Sequence, residues 1–269
     1  MELSDPLAAA AEALERYDWS AAFEAASAAG DLVADRRTEA DRANLLADAA
    51  WWLGRLDDCI DVREQAYVLY DELGEHRSAS SCAVWLYEHY CFRAQPSIAG
   101  SWLRRARRLL EDDGECVEHG ALLLREAELA HGAGDLDAAS TSAEDSLRLG
   151  RRLRSADLEA QALQTLGRVR IDQGEPAKGL ELLDEAMLFA LEDRVGPYAT
   201  GKIYCSLISA CEELREMERA AEWTDATTRW SRRHPFAVFP GLCRVHHATA
   251  LVWRGEWAEA ERAAARACE

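Results

Sequence analysis

The chain has 269 residues, 49% apolar and 30% charged, which excludes a disordered chain and bounds one large or two small domains. Its 31 Lys and Arg face 49 Asp and Glu, a net charge of −18. Such a surface repels phosphate backbones and anionic lipids, so no direct nucleic-acid or membrane binding is expected of the chain as a whole. No apolar run reaches bilayer-spanning length, and Met1–Asp5 lacks the basic start of a signal peptide, so a cytoplasmic location is expected.

Fifty alanines against six prolines point to helix throughout, and no stretch alternates with the period of a strand. The elements follow one repeated pattern. Along the chain it begins at Tyr17, Gly54, Ala94, Gly134, Gly174, Arg215 and Gly255, with spacings of 37, 40, 40, 40, 41 and 40 residues. A fixed period near 40 is the signature of a repeat architecture. Five residues after these anchors stand Ala22, Cys59, Ala99, Ala139, Gly179, Ala220 and Ala260. Twelve after them stand Ala29, Ala66, Ala106, Ser146, Ala186, Thr227 and Ala267. Every one of these residues is small. The two columns lie seven residues apart, two turns along one helix face, where small side chains admit a neighbouring helix. Ala186→Trp is therefore expected to overpack a helix contact.

Each period thus reads as two helices of about 16–18 residues, with the anchor as the turn between them. Asp or Glu usually follows the anchor, suited to capping the second helix and to its dipole. Pro96 and Pro176 share one column at the start of second helices, where a missing N–H costs nothing. The expected architecture is a single all-α domain over residues 1–269, a right-handed solenoid of about seven antiparallel helix pairs. The repeats run roughly 1–33, 34–74, 75–114, 115–154, 155–196, 197–236 and 237–269. The final helix stops soon after Ala267, so the chain is expected to continue or to use this end for docking, self-association included.

The repeat resembles the tetratricopeptide (TPR) family, best over Leu166–Gly167, Gly174 and Ala186. The 40-residue period is more similar to the sensor region of MalT-type and LuxR-type transcriptional regulators. Tyr204–Leu214 with Ala220–Thr224, and Phe239–His246 running to Arg254–Ala260, resemble actinobacterial LuxR-type regulators in particular. The 29 Arg against 2 Lys fit such a high-GC origin. The chain has neither the helix-turn-helix nor the ATPase of those regulators. The resemblance therefore implies a sensing or interaction module that binds a protein, peptide or small-molecule effector.

Catalytic signatures are lacking: no GxSxG, HExxH or triad-like motif is present, and neither enzymatic activity nor a cofactor is expected. Gly196–Ile203 has the spacing of a phosphate loop but lacks its Ser/Thr and a preceding strand, and reads as a helix stop followed by a helix start. Cys243, His246 and His247 have helical ligand spacing but no second ligand pair, so no metal is expected. All eight cysteines, with no CxxC pair among them, are expected to be reduced and mostly buried. The run Arg104, Arg105, Arg107 and Arg108 precedes Glu111–Asp113 and reads as a solvated, locally neutralised face.

The TPR resemblance also implies a ligand-binding concave face lined by the first helices. By column, that face would carry Asn44, Asp48, Trp51, Trp52, Glu88, Phe92, Glu128, His131, Gln164, Arg168 and Asp172. In its first half, carboxylates beside aromatics suit a cation or a basic or amphipathic peptide. One of Trp51 and Trp52 is expected to serve only core packing. In the second half Arg168 and Lys202 could take a carboxylate. If the column faces solvent, Glu128→Arg weakens binding with little loss of stability.

Overall fold

A computed structural model describes residues 6–32, 35–233 and 241–267, with side chains described over 7–30, 35–230 and 245–265. Among the described residues there are fourteen α-helices and no strand. They are α1 (Pro6–Glu15), α2 (Trp19–Ala28), α3 (Arg36–Trp52), α4 (Leu56–Glu72), α5 (His76–Phe92), α6 (Pro96–Leu109), α7 (Val117–Gly132), α8 (Leu136–Leu153), α9 (Ala156–Asp172), α10 (Pro176–Leu191), α11 (Pro197–Leu214), α12 (Met217–Arg233), α13 (Gly241–Trp253) and α14 (Trp257–Ala267). No described helix is long and apolar enough to cross a membrane.

The turns explain why the helices end where they do. All seven anchors are left-handed: Tyr17, Gly54, Ala94, Gly134, Gly174, Arg215 and Gly255 have φ between 54° and 84°. The N–H after each anchor reaches back five residues to a helix carbonyl, as in Arg55→Ala50, Gln95→Tyr90 and Glu216→Cys211, each at 2.9 Å. This satisfies carbonyls that a helix end leaves without partners. Glycine adopts that conformation freely, whereas Tyr17, Ala94 and Arg215 adopt it at a cost of roughly 1–2 kcal/mol each. The same device recurs between pairs at Gly74, Arg154 and Asp193.

At the starts of the second helices, aspartate and glutamate behave differently. Asp18 and Asp135 accept the N–H groups of Ala21 and Ala138, each at 3.1 Å. Glu175, one methylene longer, makes no such bond, and neither do Arg55 and Gln95. Those helices rely on Pro96 and Pro176 in the first turn, or on acids such as Asp57 and Asp58.

The chain divides into two compact units, residues 1–122 and 123–269, with the division inside α7. In the first unit consecutive helices pack as antiparallel pairs around Ile60, Tyr67, Tyr70, Leu86 and Leu103. In the second they pack around Leu163, Leu183, Met187, Ile203, Leu207 and Ile208. Every small-column residue whose side chain is described is buried, from Ala22 to Ala260 and from Ala29 to Thr227; Ala267 lies outside the described side chains. Helices α9 and α10 approach closely at two facing glycines. A Cβ built on Gly179 would stand 2.6 Å from the Gly167 oxygen and 2.5 Å from Ile171 Cγ1. A Cβ on Gly167 would meet the Gly179 oxygen at 2.8 Å. Only glycine fits either place.

The cysteine expectation holds in part. Cys59, Cys82, Cys116 and Cys211 are buried free thiols, with burial as the chief cause that raises each pKa, to about 11 for Cys59 and Cys82 and about 12 for Cys211. Cys91 is exposed. Cys205, on α11, is disulfide-bonded, which corrects the expectation that every cysteine is reduced.

Candidate functional site

The first helices carry every candidate residue, and in each unit the candidates meet partners from other helices. In the first unit a buried guanidinium dominates. Arg63 projects from the apolar stripe of α4, flanked by buried Ile60, Ala66 and Tyr67, and is 1% exposed. It donates to Asn44 Oδ1 and Asp48 Oδ1, each at 2.5 Å. Burial alone would lower its pKa, but Asp48 more than reverses this, so it stays charged. Its guanidinium lies 6.0 Å from the Trp85 ring centroid.

His89 sits beside it, fully buried, with Cys59 Sγ 3.6 Å from Nε2. Burial, and then the Arg63 charge, pushes the His89 pKa down to about 3, so the ring is neutral near pH 7. It stacks on Trp51, ring centroids 5.0 Å apart, and Trp51 also meets Phe92 edge to face at 5.0 Å. Trp52 stacks on Trp19 at 4.8 Å. Phe92 is 60% exposed, whereas Trp51 and Trp52 are half-buried.

This arrangement corrects the picture of free acids beside aromatics. Asp48 neutralises Arg63 from within the protein, and Glu88 is buried. Among the candidates on α3 and α5, Phe92 is the exposed aromatic, packed on half-buried Trp51. Both tryptophans make intramolecular ring contacts, so neither one alone is the packing residue.

In the second unit the polar groups come from the first helices themselves. Arg125 of α7 is 5% exposed and donates to both Glu128 oxygens at 2.8 Å and to Gln161 Oε1 of α9 at 2.8 Å. Lys202 of α11 closes the cluster on Glu128 Oε1 at 2.5 Å. Burial pushes the Glu128 carboxyl up, but Arg125 and Lys202 outweigh it and hold the pKa at about 2. One turn further along, Gln164 donates to Ser206 Oγ at 3.0 Å and Arg168 donates to both Glu213 oxygens at 3.0 and 2.9 Å. His131 Nε2 lies 2.6 Å from Asp172 Oδ2.

The column Glu128, Arg168 and Lys202 therefore forms a paired ladder and not an open row of charges. Lys202 and Arg168 each hold a carboxylate of this chain, Glu128 and Glu213. The expectation for Glu128→Arg is corrected too: a third cation would face Arg125 and Lys202, and stability would fall. Lys202 also settles the phosphate-loop pattern, since Gly196 caps α11, Pro197 begins it and the lysine is engaged by Glu128. His246 Nδ1 lies 3.6 Å from Glu212 Oε1; the Cys243 side chain lies outside the described residues. No group of three His, Cys, Asp or Glu among the described residues could hold a metal ion.

Arg63, His89, Arg125, Ser206 and Glu213 were not among the sequence candidates. Arg63 had a legible signal, a lone arginine in the apolar stripe of a second helix. The other four become partners only once their helices are packed.

No protein-family model matches the chain, and no curated protein matches it. Solved structures do share its fold. NprR, in complex with its cognate peptide NprX, aligns over 94% of this chain and 72% of its own at 14% identity, TM-score 0.68. Cut9, from the anaphase-promoting-complex assembly Cut9–Hcn1, aligns over 97% of this chain and 48% of its own at 14% identity, TM-score 0.60. A signal-transduction ATPase with a tetratricopeptide-repeat sensor, from Pyrococcus horikoshii, aligns over 81% and 34% at 15% identity, TM-score 0.54. At such identities the likeness is one of fold. The fold is a TPR-like helical repeat.

Proposed function

We propose that the protein is a non-catalytic binding module that recognises a protein or peptide partner on the face lined by its first helices. The observation that carries this reading is the Phe92–Trp51 edge. A phenylalanine 60% exposed and packed on a half-buried tryptophan is a preorganised apolar contact of the kind that anchors a partner side chain. Asp48 is already paired with Arg63, which favours an amphipathic segment over a bare cation.

The likeness to NprR, seen with its cognate peptide, and to a TPR sensor within a signalling ATPase supports a regulatory role. On this reading the module passes partner binding to an attached or associated transcriptional regulator of the MalT or LuxR type. Native mass spectrometry of the full chain, purified gently from its own host, tests it. We expect a co-purifying peptide or protein that is lost from Phe92→Ser, while the helical content of that variant is unchanged. A bare chain in both samples, or a partner retained equally by Phe92→Ser, overturns the reading.

A further inference from the structure

The surface arginines of the first unit are consistently matched with acids. Arg36, Arg37, Arg55, Arg77 and Arg93 each make an ion pair. In a chain with 18 more acids than bases this is the expected condition. The outer face of α6 departs from it. Arg104, Arg105 and Arg108 are exposed, and none of them has a carboxylate within ion-pair distance among the described residues. Of the acids expected to neutralise the run, Glu111, Asp112 and Asp113, the last is engaged by Arg77 of α5 at 3.1 Å, and the other two are exposed and make no ion pair with these arginines among the described residues.

The three guanidiniums also share a face, because 104 and 108 are four residues apart and 105 and 108 three. Like charges so spaced repel. Two of the side chains are nevertheless held in place. Arg105 lies over the Trp102 ring at 4.9 Å and the Tyr67 ring at 5.8 Å. Arg104 folds back over Gly100, where a Cβ would stand 3.5 Å from its Nη1, and donates to Ser101 Oγ at 2.8 Å. A preorganised cationic face whose guanidiniums make no ion pair is complementary to carboxylates, which guanidinium forks bind in bidentate fashion.

We propose that the outer face of α6 docks an acidic protein segment through Arg104, Arg105 and Arg108, independently of the first-helix face. The net charge of −18 selects for a short segment. A long polyanion or an anionic bilayer extends beyond the patch and meets the surrounding carboxylates, whereas a few glutamates reach only the patch.

The test is fluorescence anisotropy of a labelled tetra-glutamate peptide with the full chain. The wild type is compared with Arg104→Glu/Arg105→Glu/Arg108→Glu. A charge-matched control, Arg16→Glu/Arg148→Glu/Arg262→Glu, replaces arginines that are already ion-paired. We expect binding that weakens as salt rises and falls by about tenfold or more in the α6 variant, with a smaller loss in the control. No binding at low salt, or equal loss in both variants, overturns the proposal. Tighter capture of a single-stranded RNA or of phosphatidylserine vesicles than of the peptide also overturns it, as does self-association abolished by the α6 variant.

Discussion

The two units solve the same electrostatic problem differently. Both place an acid six residues before an anchor, Asp48 in the first and Glu128 in the second, and both neutralise it internally. In the first unit the cation comes from behind, since Arg63 belongs to a second helix and reaches through the core side of α3. In the second unit the cations, Arg125 and Lys202, come from first helices. The first unit therefore buries the cation of its pair, with Asp48 still partly exposed, and leaves Phe92 at the surface. The second keeps a charged ladder along its first helices. An acid in a given column of the repeat does not by itself mark a ligand contact; what matters is whether an arginine of the same chain reaches it first.

The largest effect that could break this comparison is expected at Asp48. Asp48→Ala leaves the Arg63 guanidinium buried without its counter-charge, which should destabilise the protein by about 3 kcal/mol in urea unfolding. A loss below about 1 kcal/mol would show that Asn44 and solvent suffice for Arg63.

Glu128→Gln should cost about 2 kcal/mol near pH 7, because Glu128 is ionised and doubly paired in the folded protein. With its folded pKa lowered from 4.5 to about 2, its contribution is present above pH 4.5 and disappears as pH falls toward 2. The gap between wild type and Glu128→Gln should close over that window. A gap independent of pH would assign the loss to packing.

The same linkage separates the units in acid. His89 has its folded pKa lowered from 6.5 to about 3, so the unfolded chain takes up a proton first and the stability contributed by neutral His89 falls as pH drops below 6.5. Amide exchange should show α5 losing protection between pH 6.5 and 5, while α9 keeps its protection until below about pH 4.5. Simultaneous loss in both helices would mean that His89 does not govern the first unit.

The smallest expected effect is a gain. Ala94 stands at a left-handed anchor where four of the other six are glycine, so Ala94→Gly should raise stability by roughly 0.5–1 kcal/mol. An unchanged or lower melting temperature would show that the turn tolerates alanine without strain.

Much of the fold was legible in the residues. The period of 40 located all seven turns, and Tyr17, Ala94 and Arg215 confirm it most sharply, because they adopt the glycine conformation without being glycine. The small columns at Ala22 and Ala29, and their equivalents, marked the packed faces for the same reason: turns and helix faces arise from interactions between residues a few positions apart. The candidate site was less legible. Asn44, Asp48, Glu128 and Arg168 were placed on the right helices, but as free groups. Their partners Arg63, Lys202 and Glu213 stand 15 to 74 residues away in sequence.

The sequence by itself determined the helix pairs, their period, the turns and the small residues that let helices approach, since each rests on local backbone geometry. Only the tertiary structure decided which charges are spent inside the protein and which remain for a partner. That choice depends on the relative height and rotation of packed helices. A shift of one residue in either would uncouple Lys202 from Glu128 or Arg63 from Asp48, and no local pattern encodes it.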